Sequence, residues 1–152
     1  MSLISVEEAR ERILSQFKTV TTEIISLELT PNRVLAIDII AEDDLPLFNN
    51  SSMDGFALRA TDSSNAAPAS PLTLRVVADI PAGSTPTVSL APGEAARIMT
   101  GAQLPEGADA VIPVEDTDFN DRSAGTLPPE TVTFSRLVKS NENVRPRGMD
   151  VR

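Results

Sequence analysis

Punctuation constrains this chain more than any other feature. Twelve prolines and seven glycines fall mostly beyond Phe56 and cut that stretch into short pieces. Proline lacks a backbone donor and glycine opens turns closed to other residues, so no long helix tolerates such spacing. Between the breaks lie five runs with a strand's two-residue period: FALR from Phe56, LTLRVVADI, ARIM, ADAVIPV and TVTFSRLV. In the longest, Leu72, Leu74, Val76, Ala78 and Ile80 are expected on one face. The links TDSSNAAPASP, PAGSTPT, APGE and EDTDFNDRSAGTLPP are rich in turn formers. Many short strands joined this way predict a compact β-barrel or sandwich.

The first forty residues read differently. Ser5 with Glu8 three residues on has capping-box spacing, and Val6, Ala9, Ile13, Leu14 and Phe17 fall on one helical face. A helix is expected over residues 6 to 18. EIISLEL alternates, with Ile25, Leu27 and Leu29 facing one way, and predicts a half-buried strand. Thr30 before Pro31 predicts a short helical turn over residues 32 to 35, with an extended piece over 36 to 40. The fold class is therefore α+β and mostly β. Residues 1–44 supply a helix and strands of a first domain, residues 45–138 a β-barrel-like second domain, and 139–152 a return segment. That tail opens a polar motif and stops without a terminating element, as a truncated chain would.

Absences narrow the chemistry. Without cysteine or histidine the chain has no thiolate nucleophile, Ser-His-Asp triad or ordinary zinc site. Any metal held here is a hard ion on oxygen ligands, Mg²⁺ or Ca²⁺. A net charge of −9 and only five aromatic residues, all Phe, argue against a nucleic-acid partner. No apolar run is long enough for a membrane helix, and a cytoplasmic protein is expected.

Three polar constellations remain. In NNSSMDGFALR, the Asp54 and Gly55 pair either bends the chain into a strand or presents a carboxylate. In RIMTGAQLPEGADAVIPVED, Thr100 and Gly101 follow a strand. A hydroxyl beside a glycine lets backbone N–H groups approach an anion, though a plain loop start reads the same way. Leu104 to Asp109 reads as a structural loop, and Glu115 with Asp116 as a solvated acidic stretch. In NVRPRGMD, Arg145 and Arg147 near Asp150 form either an anion clamp or a charged linker.

PLFNNSSMDGFALR resembles the Pro-x-Phe-x-x-Ser-x-Met-Asp-Gly-aromatic-Ala signature of the MoeA-type molybdopterin molybdenumtransferases, the family that includes the gephyrin E domain. RIMTGAQLPEGADAVIPVED and NVRPRGMD resemble two further blocks of that family, in family order. The resemblance implies an elongated first domain, a homodimer, and later domains beyond Arg152. It implies insertion of molybdate into adenylated molybdopterin with Mg²⁺ and release of AMP. Carried onto this sequence, it makes Asp54 and Thr100 catalytic and gives Ser52, Gly101 and Arg145 to the substrate or anion. Asp54 and Asp150 become candidate metal ligands. It also marks three departures: Phe56 where Tyr is frequent, Gln103 where Pro is common, and Met149 where an acidic residue is common. The first two are expected to touch only packing and loop stiffness. A non-catalytic scaffold or interaction module, and a generic oxyanion-binding β domain, are the alternative readings.

Overall fold

Helix α1 (Val6–Leu14) begins where its cap predicts. In a computed structural model describing residues 4–119 and 125–152, the Glu8 N–H donates to Ser5 Oγ at 3.1 Å. Glu7 and Glu8 occupy the first turn and Arg12 the last, each complementing the helix dipole. The helix ends at Leu14 rather than near residue 18. Ser15 Oγ donates to the Arg12 carbonyl at 2.8 Å, competing for a carbonyl that a continuing helix would use. The Gln16 and Phe17 N–H groups then close tighter turns onto Ile13 and Leu14.

The rest of the first compact unit, Met1–Ile40, departs from expectation. The predicted strand through EIISLEL is instead a single 3₁₀ turn at Leu27–Leu29 after irregular chain. Its closing residue is Thr30, whose hydroxyl donates to the Leu27 carbonyl at 2.6 Å. Residues 30–33 form a β-turn rather than a helix start: the Arg33 N–H meets the Thr30 carbonyl at 3.0 Å. Pro31 takes the second position and Asn32, at φ 65, the third, as a type II turn requires. Residues 36–40 pair with no strand among the described residues. Alternation makes a strand only where another strand offers its hydrogen bonds, and the described residues of this unit contain none.

The second unit, Ala41–Arg152, holds all the strands among the described residues. They are β1 (Asn50–Ser51), β2 (Gly55–Leu58), β3 (Leu72–Ile80), β4 (Glu94–Ile98), β5 (Ala110–Pro113), β6 (Thr131–Phe134) and β7 (Val144–Arg145). Each of the five expected runs is present. One sheet has the order β5-β2-β4-β3-β6, antiparallel throughout except for the parallel pair of β3 with β4. A two-stranded ladder joins β1 to β7. The sheet curls until its edges meet: Thr117, just past β5, bridges Phe134 of β6. The Asp118 N–H reaches the Thr133 carbonyl at 2.9 Å and the Thr133 N–H reaches Asp118 Oδ1 at 2.8 Å. One bridge makes a half-barrel, in keeping with the barrel-like domain expected. Of the long link after β5, residues 120–124 lie outside the described residues.

Strand β2 is buried along its whole length, with a core on each side. Phe56, Leu58, Leu74, Ile112, Val132 and Phe134 fill one, and Ala57, Ile80, Ala96, Ile98 and Val111 the other. Phe56 also meets Phe119 edge-on at 5.9 Å. The single apolar face expected for β3 is divided between the two cores. Its pairing with β4 slips between Val76 and Ala78, so Leu72, Leu74 and Val76 serve the first core and Ala78 and Ile80 the second. An inserted residue in a ladder turns every later side chain to the other face.

Residues 139–152, expected as a return segment to the first domain, make backbone pairs with Leu45, Asp109, Val111 and β1.

Candidate functional site

Strand β1 is where the three polar motifs meet. On one side, the Gly101 N–H donates to the Ser51 carbonyl at 2.8 Å and the Ser51 N–H to the Ala102 carbonyl at 3.0 Å. On the other, the Ser52 N–H donates to the Asn143 carbonyl at 3.0 Å, and Asn50 lies opposite Arg145. Segments some fifty and ninety residues apart in the chain are thus stitched to the same two-residue strand. That closeness comes from pairing register and is invisible to composition.

The geometry of Asp54 answers the question left open by its motif. Gly55 must be glycine because a Cβ there would lie 2.0 Å from the Ile112 carbonyl oxygen of the neighbouring strand. Asp54 therefore sits at the lip of a tightly packed strand, its own carbonyl accepting the Val114 N–H at 3.1 Å. Its side chain is exposed and points to the turn after β4. In that turn the Ala102 N–H closes onto the Met99 carbonyl at 3.0 Å, with Gly101 at φ 80. Thr100 is the residue the turn displays. Both its N–H (2.8 Å) and its hydroxyl (2.7 Å) donate to Asp54 Oδ1. Two donors on one oxygen lock the carboxylate and leave the Thr100 hydroxyl oxygen free to accept. Asp54 thus turns the chain and presents a carboxylate.

Arg145 is exposed on β7, and its Nη2 donates to both oxygens of Asp150 at 3.0 and 2.7 Å. Asp150 is thereby committed to orienting the guanidinium. Arg147 pairs with Asp44 at 2.7 Å, and its N–H donates to Asn49 Oδ1 at 2.8 Å. Ser52 is half-buried beside Asn143, and Gly101 is exposed at the turn tip. The site thus has an anchored carboxylate with a hydroxyl on one side of β1 and an oriented cation on the other.

Mg²⁺ does not fit these residues as a self-contained site. Both Asp150 oxygens are taken by Arg145, and no group of three or more acidic side chains suited to a metal occurs among the described residues. A hard divalent ion held by protein alone needs several oxygens.

Other polar residues are structural. Asp109 Oδ1 accepts the Ala60 N–H at 2.7 Å, so the loop before it is a brace as expected. Asp116 is not merely solvated: it pairs with Arg136 at 2.7 Å, and Arg136 also reaches Glu142 at 2.8 Å. Burial works against the Arg136 charge, but its hydrogen bonds to the Asp116 and Glu142 carboxylates outweigh it and raise its pKa above the usual value. Arg97 grips Asp79 through two nitrogens at 2.7 and 2.6 Å and also donates to the Thr126 carbonyl at 2.7 Å. Its hydrogen bond to Asp79 raises its pKa despite partial burial. Sequence reading missed Asn49 and Asn50 as members of the site. Only the register of β1 reveals them.

Known proteins resemble this chain over nearly its whole length. A family model described as the MoeA N-terminal region (domain I and II) matches residues 4–152. The chain is 43% identical over 147 residues to molybdopterin molybdenumtransferase 2 of Mycobacterium tuberculosis, covering 97% of this chain and 34% of that protein. It is 39% identical over 146 residues to a molybdopterin molybdenumtransferase of Staphylococcus aureus, covering 95% and 33% respectively. The solved structure of a molybdopterin biosynthesis moeA protein from Pyrococcus horikoshii OT3 superposes with a TM-score of 0.79 at 31% identity. That match covers 99% of this chain and 38% of the other. The chain spans about a third of the length of the curated relatives it matches.

Proposed function

This chain belongs to the MoeA N-terminal family (domain I and II), and from that premise we propose that it forms the N-terminal part of a molybdopterin molybdenumtransferase. The reaction is insertion of molybdate into adenylated molybdopterin, with AMP as the second product. The Asp54 and Thr100 pair carries this reading, because a family motif and an exposed, locked carboxylate coincide there.

An ionised carboxylate repels molybdate, so Asp54 does not touch it directly. Its role is to accept hydrogen bonds from N–H, O–H or water donors around the bound pterin, while Thr100 holds it in place and offers a hydroxyl oxygen. Arg145, aimed by Asp150, balances oxyanion charge from across β1. Ser52 and Gly101 line the approach, although the Gly101 N–H itself is spent on the Ser51 carbonyl and offers an anion no donor. Such pre-set groups cost no reorganisation during reaction. The Mg²⁺ implied by the resemblance finds one carboxylate here and no ligand set, so no step is routed through it. The same reading makes the protein a cytoplasmic homodimer, which the exposed apolar residues of Met1–Ile40 support. The 152-residue chain alone is expected to be inactive, since two-thirds of the relatives' length lies outside it.

A chimera tests the proposal. Residues 1–152 replace the matching N-terminal third of the M. tuberculosis relative, in cells lacking that protein. Restored molybdoenzyme activity supports the assignment, and a folded but inactive chimera refutes it. Asp54→Asn or Thr100→Val in the chimera should lower insertion about 10- to 100-fold.

A further inference from the structure

We propose that Asn50, Gln103 and Arg145 form a subsite for a phosphate or phosphoanhydride group, with Asn50 as its specificity-determining residue. The proposal rests on the preceding reading, since the adenylated substrate named there carries such a group.

Pairing places the three side chains together. Asn50 lies opposite Arg145 on β7 and opposite Gln103 in an isolated bridge. Directly paired residues project to the same side of a sheet, so the three share one face. The Asn50 and Gln103 pair is of the narrow, non-hydrogen-bonded kind. Its flanking bonds run from the Leu104 N–H to the Asn49 carbonyl and from the Ser51 N–H to the Ala102 carbonyl, both 3.0 Å. Side chains stand closest in such pairs. The Gln103 N–H is idle in that geometry, so a proline would suit the backbone equally. What glutamine adds is its carboxamide.

Asn50 is 7% exposed, yet among the described residues its carboxamide has no hydrogen-bond partner. The neighbouring asparagines differ. Asn49 Oδ1 accepts the Arg147 N–H at 2.8 Å, and Asn143 Nδ2 donates to the Val111 carbonyl at 2.9 Å. No fully buried side-chain polar atom lacks a partner among the described residues, so the Asn50 amide keeps a narrow contact with solvent. A nearly buried amide left open this way is costly unless something else fills its bonds. Arg145 is half-committed in the same sense. Its Nη2 serves Asp150, while Nε and Nη1 have no partner among the described residues. The Asp150 charge steadies the guanidinium but lies on its engaged side. Two carboxamide N–H donors beside a cationic donor edge suit a group with several anionic oxygens.

The test uses nitrogen-15 NMR of the 152-residue chain titrated with inorganic pyrophosphate. The side-chain amides of Asn50 and Gln103 and the Arg145 Nε–H should shift together to saturation. Those of Asn49 and Asn143 should stay. Asn50→Leu should weaken binding about tenfold and Gln103→Pro about threefold, since each removes a neutral donor to a charged acceptor. Asn50→Asp should weaken it further by adding negative charge. Unchanged amide protection across β1 and β7 shows that each variant is folded. Shifts spread over unrelated amides, or full affinity in Asn50→Leu, overturn the subsite. In the chimera, Asn50→Leu should raise the KM for the adenylated substrate and leave kcat nearly unchanged. An unmoved KM overturns the assignment of that substrate's phosphate to these residues. An inactive parent chimera whose N-terminal part still binds pyrophosphate through Asn50 would sink the molybdenum reading and spare the subsite.

Discussion

Residues 1–40 and 41–152 are both rich in aliphatic side chains, and among the described residues only the second unit buries them. Phe56, Leu58, Ile98, Val111, Ile112 and Val132 have no exposed surface. Ile24, Val34, Val20 and Leu27 are more than four-fifths exposed, and α1 buries nothing. Hydrophobic pattern therefore states what a face needs and not whether the chain supplies it. In the second unit β2 finds a partner strand on each side and a core above and below. In the first, alternation meets no ladder, so EIISLEL falls back on what neighbouring residues provide: a cap, a turn and an ion pair between Arg33 and Glu23.

Substitutions can break or sharpen that contrast. Gly55→Ala should be the most damaging, in the exceptional range above about 4–5 kcal/mol, because its Cβ would strike backbone that cannot swing aside. Chemical denaturation followed by circular dichroism measures it, and a mild effect would show that β2 and β5 separate easily. Phe56→Ala should cost about 3–5 kcal/mol by emptying the first core. Arg97→Lys should cost about 1–2 kcal/mol, since lysine cannot reproduce the forked grip on Asp79. Ser5→Ala should remove about 0.5–1 kcal/mol from α1, read as lost helicity. Ile24→Ser should change stability by less than about 0.5 kcal/mol. A loss well above that would mean that something covers the first unit in solution, and the two regions would then differ less than they do here.

The strands of the second unit were legible because each run of alternating residues is bounded by glycine or proline, and each found a neighbour. The helix start was equally plain, since Ser5 and Glu8 act within one turn. Its end was not, because Ser15 competes for a carbonyl in a way the apolar stripe does not record. The turn at Pro31 and Asn32 reads as a helix start in sequence because proline suits both, and only the positive φ of Asn32 separates them. At the site, Asp54, Thr100 and Arg145 were legible as motif positions. The hydrogen bonds between the first two, and the place of Asn50 between Gln103 and Arg145, depend on which strands lie side by side. Local spacing carries no such information.

The slip beside Val77 has a consequence for how this protein tolerates change. Val77 has no partner on β4, while Val76 and Ala78 pair with the adjacent Ala95 and Ala96, which face opposite cores; deleting Val77 would therefore only remove the bulge. It would make Val76 and Ala78 adjacent and the ladder regular, leaving Ala78 and Ile80 on the second core and Asp79 opposite Arg97. A chain without that residue would keep both compartments as they are, so this is the one place in β3 where a deletion straightens the strand and leaves its faces unmixed.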